Sequence, residues 1–98
     1  MAQYDVFALT DGGLVLDVQS DLLGPLNTRV VVPLLPLDQA PQPARRLNPV
    51  FEFEAGTYMM ASQYLSAVAL SELGKPIAEL KLHAAQITDA LDMVFHGI

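Results

Sequence analysis

The feature that most limits the fold lies mid-chain, where Arg29 leads into three consecutive β-branched residues, Val30, Val31 and Val32, and prolines then recur at Pro33, Pro36, Pro41 and Pro43. Branched β-carbons suit a pleated surface and fit poorly against a helical turn. Each proline removes a backbone donor and stops a ladder or a helix from continuing. Residues 28–35 are therefore expected to form a central strand. Residues 36–48 should be a loop with few backbone hydrogen bonds, the most mobile part of the chain.

Short strands are expected on both sides of this run. Residues 4–9 and 14–18 flank Thr10-Asp11-Gly12-Gly13, whose members tolerate positive φ, and predict an antiparallel hairpin. Gln19-Ser20-Asp21 followed by Leu22-Leu23-Gly24-Pro25 favours a tight turn or one helical turn. A second hairpin is expected from residues 49–53 and 57–61 around Glu54-Ala55-Gly56, with Val50, Phe51, Phe53, Tyr58, Met59 and Met60 mostly in the core. Residues 66–70 read as a further strand, broken by Gly74-Lys75-Pro76 before a short apolar segment over 77–80.

The period changes after that. Ile87, Ala90, Leu91 and Val94 recur at helical spacing, with Thr88, Asp89 and Asp92 on the other side, which predicts a helix over 82–95. Gly97 falls where a helix closes in the left-handed conformation, turning Ile98 away from the helix axis. A run of strands followed by one helix implies a mainly β fold, a small curved antiparallel sheet, closed or nearly closed, with the C-terminal α-helix across one face.

Ninety-eight residues fit a single domain, 1–98, of a size whose burial is often completed by pairing of subunits. With 52% apolar and 16% charged residues, association as a homodimer is expected. The net charge of −6 and the scattered Arg29, Arg45, Arg46, Lys75 and Lys81 give no stripe to follow a phosphate backbone, which argues against direct nucleic-acid binding. The absence of cysteine excludes disulfides and thiolate metal sites, and His83 and His96 lack a zinc-motif spacing, so neither metal nor cofactor is expected. Without a signal-like start or a membrane-length apolar run, the expected location is the cytoplasm.

Several side-chain groups have both a functional and a structural reading. Asp17, Gln19 and Asp21 alternate at a strand end, as an acid–base pair would, but turn-making and backbone bonding explain them as well. Met59, Met60 and Met93 with Tyr58 and Phe95 form either an adaptable binding patch or ordinary packing. Arg45 and Arg46 could meet an acidic segment, although exposed loop charges are usually solvated. The ending His96-Gly97-Ile98 either caps a core helix or docks a partner.

Leu16-Asp17-Val18-Gln19-Ser20-Asp21-Leu22-Leu23, Asn27-Thr28-Arg29-Val30-Val31-Val32-Pro33-Leu34 and the ending Phe95-x-Gly97-Ile98, in this order and spacing, closely resemble the CcdB toxin family. Tyr58-Met59-Met60 and Ile77-Ala78-Glu79-Leu80 extend the resemblance over most of the chain. It implies an SH3-like barrel with a C-terminal helix, assembled as a two-fold dimer. It also implies a toxin that binds the A subunit of DNA gyrase, traps its cleaved-DNA state and is neutralised by a CcdA-like antitoxin.

By that resemblance the gyrase-binding residues are His96, Gly97 and Ile98, while the antitoxin contacts are unassigned. The family pattern has tryptophan where this chain has His96. A guanidinium over an indole face gains about 0.5–2 kcal/mol, which a neutral imidazole would match only in part. A protonated imidazole would repel that cation, and histidine ordinarily changes charge near pH ~6.5, so gyrase binding is expected to weaken as pH falls. His83 reads as structural or exposed. Two alternatives stay open: a relative that has lost gyrase poisoning but still binds antitoxin, and an endoribonuclease of the MazF and Kid type, for which Arg29, His83 and the arginine pair are the candidate residues.

Overall fold

The computed structural model describes residues 2–97. The first hairpin pairs β1 (Asp5–Ala8) with β2 (Leu14–Asp17), Phe7 opposite Val15. Its turn closes on hydrogen bonds from Leu9 N–H to Gly13 O and from Gly12 N–H to Leu9 O, with Gly12 at φ 92°. The expected break after β2 is a 3-10 turn, Asp21–Leu23.

The valine run becomes β3 (Thr28–Pro36), nine residues long and the axis of the sheet. One edge pairs with β2, Leu16 opposite Val32. The other edge is shared: β6 (Ser66–Ala69) covers its first half, Arg29 opposite Val68, and β5 (Gly56–Met60) covers its last residues, Leu34 opposite Met60. Pro33 stands where the neighbour changes. Its carbonyl accepts from Ala61 N–H at 2.9 Å, after which the chain leaves the ladder in a 3-10 turn, Ser62–Tyr64. A proline is tolerated inside this strand because its missing donor coincides with that gap.

β4 (Val50–Phe53) lies outside β5, and β7 (Ala78–Glu79) outside β1. The order is β4-β5-β3-β2-β1-β7 with β6 branching onto β3, a nearly closed, barrel-like antiparallel sheet. The helix α1 (Ala84–His96) begins after a 3-10 turn, Lys81–His83. Leu82, expected inside the helix, lies in that turn and is 97% exposed.

Alternate residues of β1 to β3 feed two apolar clusters. Val6, Leu14, Leu16, Val32 and Leu34 pack with Phe51, Met60, Leu80, Ile87 and Ala90, while Phe7, Val15 and Val31 pack with Leu73 on the opposite side. With both faces covered, all four residues of β2 are buried, and its sequence reads as an unbroken apolar run until Asp17. Ile87 and Ala90 are the helix's contribution to the first cluster, and Leu91 packs against it. Fully burying a residue such as Ile87 contributes about 1.5–3 kcal/mol. Of the second hairpin, Phe51, Met59 and Met60 are core, Phe53 and Tyr58 are half-buried, and Val50 is exposed.

Candidate functional site: the end of the terminal helix

Helix α1 is fastened by its buried stripe and leaves its last turn in solvent. Gly97 adopts φ 72° and ψ 19°, and its N–H reaches Asp92 O at 3.3 Å and Met93 O at 3.1 Å. A left-handed glycine that satisfies the last carbonyls ends a helix without steric cost. Nothing lies within 4 Å of the position a Gly97 Cβ would take, so the demand for glycine there is conformational. Phe95 is 63% exposed, His96 and Gly97 are exposed, and Ile98 lies outside the described residues. Two of the three expected docking residues thus stand together on an open helix end, beside a large exposed aromatic.

A rigid turn supports that end from outside. Asn48, although in the proline-rich segment, is buried. Its Oδ1 accepts from Ala44 N–H at 3.0 Å, and its Nδ2 donates to Met60 O at 3.0 Å and Gln63 Oε1 at 2.9 Å. Ser62 Oγ donates to Leu47 O at 2.6 Å. Between these anchors Leu47 N–H bonds back to Arg45 O, with Arg46 at φ 62°. This is a γ-turn of the rare positive-φ kind.

Arg46 then clamps the helix. Its Nε donates to Asp89 Oδ2 at 2.9 Å, its Nη2 to Asp89 Oδ1 at 2.7 Å, and its Nη1 lies 3.9 Å from Met93 Sδ. The hydrogen bond from Arg46 holds the Asp89 carboxyl below the usual carboxylate range. The reading of both loop arginines as merely solvated is thereby corrected for Arg46, because a two-point fork onto a carboxylate overrides free hydration. Arg45 is exposed.

A second apolar corner forms around the 3-10 turn, where Leu22 is 91% exposed and Leu23 and Leu26 are about half exposed. Ser20 Oγ accepts from Leu22 N–H at 3.2 Å, and Asp21 Oδ1 accepts from Gln3 N–H at 2.8 Å. Gln19 Oε1 accepts from Val30 N–H at 3.1 Å, and its Nε2 donates to Leu23 O at 3.1 Å. Behind them Asp17 Oδ1 accepts from Gln19 N–H, and Asp17 Oδ2 receives Arg29 Nε at 2.9 Å with Nη2 2.6 Å away. Burial pushes the Asp17 carboxyl up, against the pull of the Arg29 hydrogen bond, the Gln19 N–H and the Arg29 charge. The alternating Asp17, Gln19 and Asp21 are therefore turn-makers, as their structural reading had it. The partner that sequence reasoning missed is Arg29. Its odd position, shared with Val31, which stands opposite Asp17 in the ladder, was the available signal.

The other candidate residues do not assemble. His83 sits against Phe51, ring centroids 4.9 Å apart, with Nδ1 3.2 Å from Gln86 Oε1, in keeping with its structural reading. Arg29 is 2% exposed. An open cleft of about 410 Å³ beside the first hairpin is lined by Leu9, Val31, Leu35, Tyr58 and Val68 among others, with no basic residue or histidine in its wall. No group of three or more His, Asp or Glu among the described residues is placed to hold a metal. No helix among them is long and apolar enough to cross a membrane.

Two of the solved structures that resemble this one illustrate the likeness. An endoribonuclease from a mycobacterial species matches with a TM-score of 0.79 at 14% identity, over 96% of this chain and 89% of that one. An Mtb toxin matches with a TM-score of 0.68 at 12% identity, over 95% and 99% respectively. At such identities the likeness is one of fold, and it defines a class of small barrel-like proteins with a terminal helix. The family model described as CcdB protein matches residues 3–97, and the chain belongs to the CcdB family, the toxins of toxin–antitoxin systems.

Proposed function

We propose that residues 1–98 act as a single toxin domain of a type II system. In this reading a cytoplasmic homodimer binds the A subunit of DNA gyrase, traps the cleaved-DNA complex and is neutralised by a CcdA-like antitoxin. His96, Gly97 and Ile98 make the gyrase contact, and the toxin does no bond-making chemistry. The observation that carries this reading is the build of the helix end: a core-anchored helix whose last turn offers Phe95 and His96 to solvent and closes on a left-handed Gly97. An apolar group presented on a rigid base is what a docking hot spot requires.

The endoribonuclease reading draws on one similar structure, that of an endoribonuclease. RNA cleavage needs a base within reach of a 2′-hydroxyl and cations for the developing charge. Here Arg29 is enclosed with Asp17, Arg46 is engaged by Asp89, and His83 faces Phe51. These placements favour gyrase over RNA as the target. The replacement of tryptophan by His96 keeps a third reading in view, a family member that binds antitoxin without poisoning gyrase.

The test is to incubate the purified protein with gyrase and plasmid DNA and, separately, with total RNA. Linear DNA covalently held by gyrase supports the proposal. Cleaved RNA with unaffected gyrase supports the endoribonuclease. Inertness in both assays, with retained antitoxin binding, supports the non-poisoning relative.

A further inference from the structure

Arg46 combines two features that a solvated loop cation does not need. It occupies the strained centre of a γ-turn, and its planar guanidinium meets Asp89 through two parallel hydrogen bonds. Backbone strain persists only where surrounding contacts over-determine it. Here those contacts are the buried Asn48 and Ser62, which tie both sides of the turn to β5 and the 3-10 turn that follows it. The turn is thus fixed to the sheet, and the arginine is fixed to the helix. Asp89 and Met93 lie one turn apart along the exposed side, directly before Phe95, His96 and Gly97.

The geometry points to Arg46 as a positioning residue for the terminal segment: the strap over 44–48 sets the direction in which the end of α1 meets its partner. Ile87 and Ala90 secure the body of the helix, whereas among the side-chain hydrogen bonds described for the half after Ala90 the only sheet-anchored partner is Arg46. Among the described residues, Asp89 and Asp92 are acidic groups that Arg46 faces. Because Arg46 and Asp89 are both nearly half exposed, the clamp contributes little to global stability, and its effect is local order. An end that samples several directions binds with an affinity lowered by the fraction of time it points correctly. The functional half of this inference rests on the proposed docking of the helix end onto gyrase.

Two measurements on the full chain, Arg46→Gln, Asp89→Asn and the double variant test it. The first is amide hydrogen exchange of the free protein. Each single change is expected to speed exchange at residues 93–97 by about two- to fivefold, the range an exposed ion pair protects. The double variant should add nothing further, and β3 amides and the melting temperature should stay as they are. The second is binding to the dimerisation region of gyrase A, where the single variants should lose affinity by a similar factor, mostly through slower association, because only the correctly directed fraction of the free protein can dock. Unchanged exchange at the helix end, or additive effects of the two changes, would overturn the clamp. Faster exchange with unaltered gyrase affinity would overturn the positioning role. If the wild-type chain binds no gyrase while exchange responds as expected, the gyrase reading fails and the clamp stands.

Discussion

Asp17 and Arg29 are the residues on which the first half of the chain depends, because a carboxylate and a guanidinium enclosed together are each costly without the other. Arg29→Ala leaves Asp17 buried without its cation and is expected to cost roughly 3–5 kcal/mol, read as a lower urea midpoint. Replacing both, Asp17→Leu with Arg29→Met, should cost far less, since no unpaired charge remains. The acid side separates the two aspartates. Burial raises Asp17, so the folded chain holds that proton more tightly than the unfolded one, and its contribution falls as pH rises through the raised value. Arg46 lowers Asp89, so the contribution of Asp89 is present above its ordinary 3.8 and is lost as pH falls through the depressed value. The protection factors of the helix-end amides, which remove the intrinsic pH dependence of exchange, should therefore fall in the wild type as pH drops through the depressed value and stay flat in Asp89→Asn. At the tip, if the proposed gyrase contact holds, His96→Trp supplies a larger aromatic face and should tighten binding by only part of the ~0.5–2 kcal/mol of a full guanidinium–indole contact, checked by calorimetry.

At the scale of elements, α1 works as a lever whose fulcrum is its buried stripe. Ile87→Ala removes a fully buried side chain and should cost about 2–5 kcal/mol, read by thermal or urea unfolding. Gly97→Ala has room for its Cβ but opposes the left-handed turn, a penalty of roughly 1–2 kcal/mol confined to the helix end. It should leave the urea midpoint nearly unchanged while weakening the partner contact. The helix was legible in the sequence because its spacing and its closing glycine are local signals, and the hairpins were legible for the same reason at Gly12 and Gly56. Nothing local announced that β5 and β6 share one edge of β3, because that depends on pairings between segments far apart in the chain. The Arg46 clamp was hidden for the same reason: it joins residues 43 positions apart on an exposed surface, where periodicity carries no information. The proline-rich segment was expected to be the loosest part of the chain, yet its last residues form a strap because Asn48 supplies the partners that the backbone there lacks.

For the whole molecule, part of the apolar excess noted in the composition lies on the surface, at Leu22, Leu23, Leu26, Leu82 and Phe95 among others. Such surface suits association with other chains, and sedimentation equilibrium should give the mass of a dimer. A net charge of −6 without a basic stripe fits a protein target better than a nucleic acid. In this account the sheet and its buried Asp17 and Arg29 pair make a stiff platform, α1 crosses it, and the terminal residues act at the far end. The most direct test is calorimetric binding of the gyrase A dimerisation region to the full chain and to a chain ending at His96, with circular dichroism of both. Binding by the full chain that disappears on truncation, with the fold intact, is the predicted result; equal binding by both chains, or binding by neither, would contradict it.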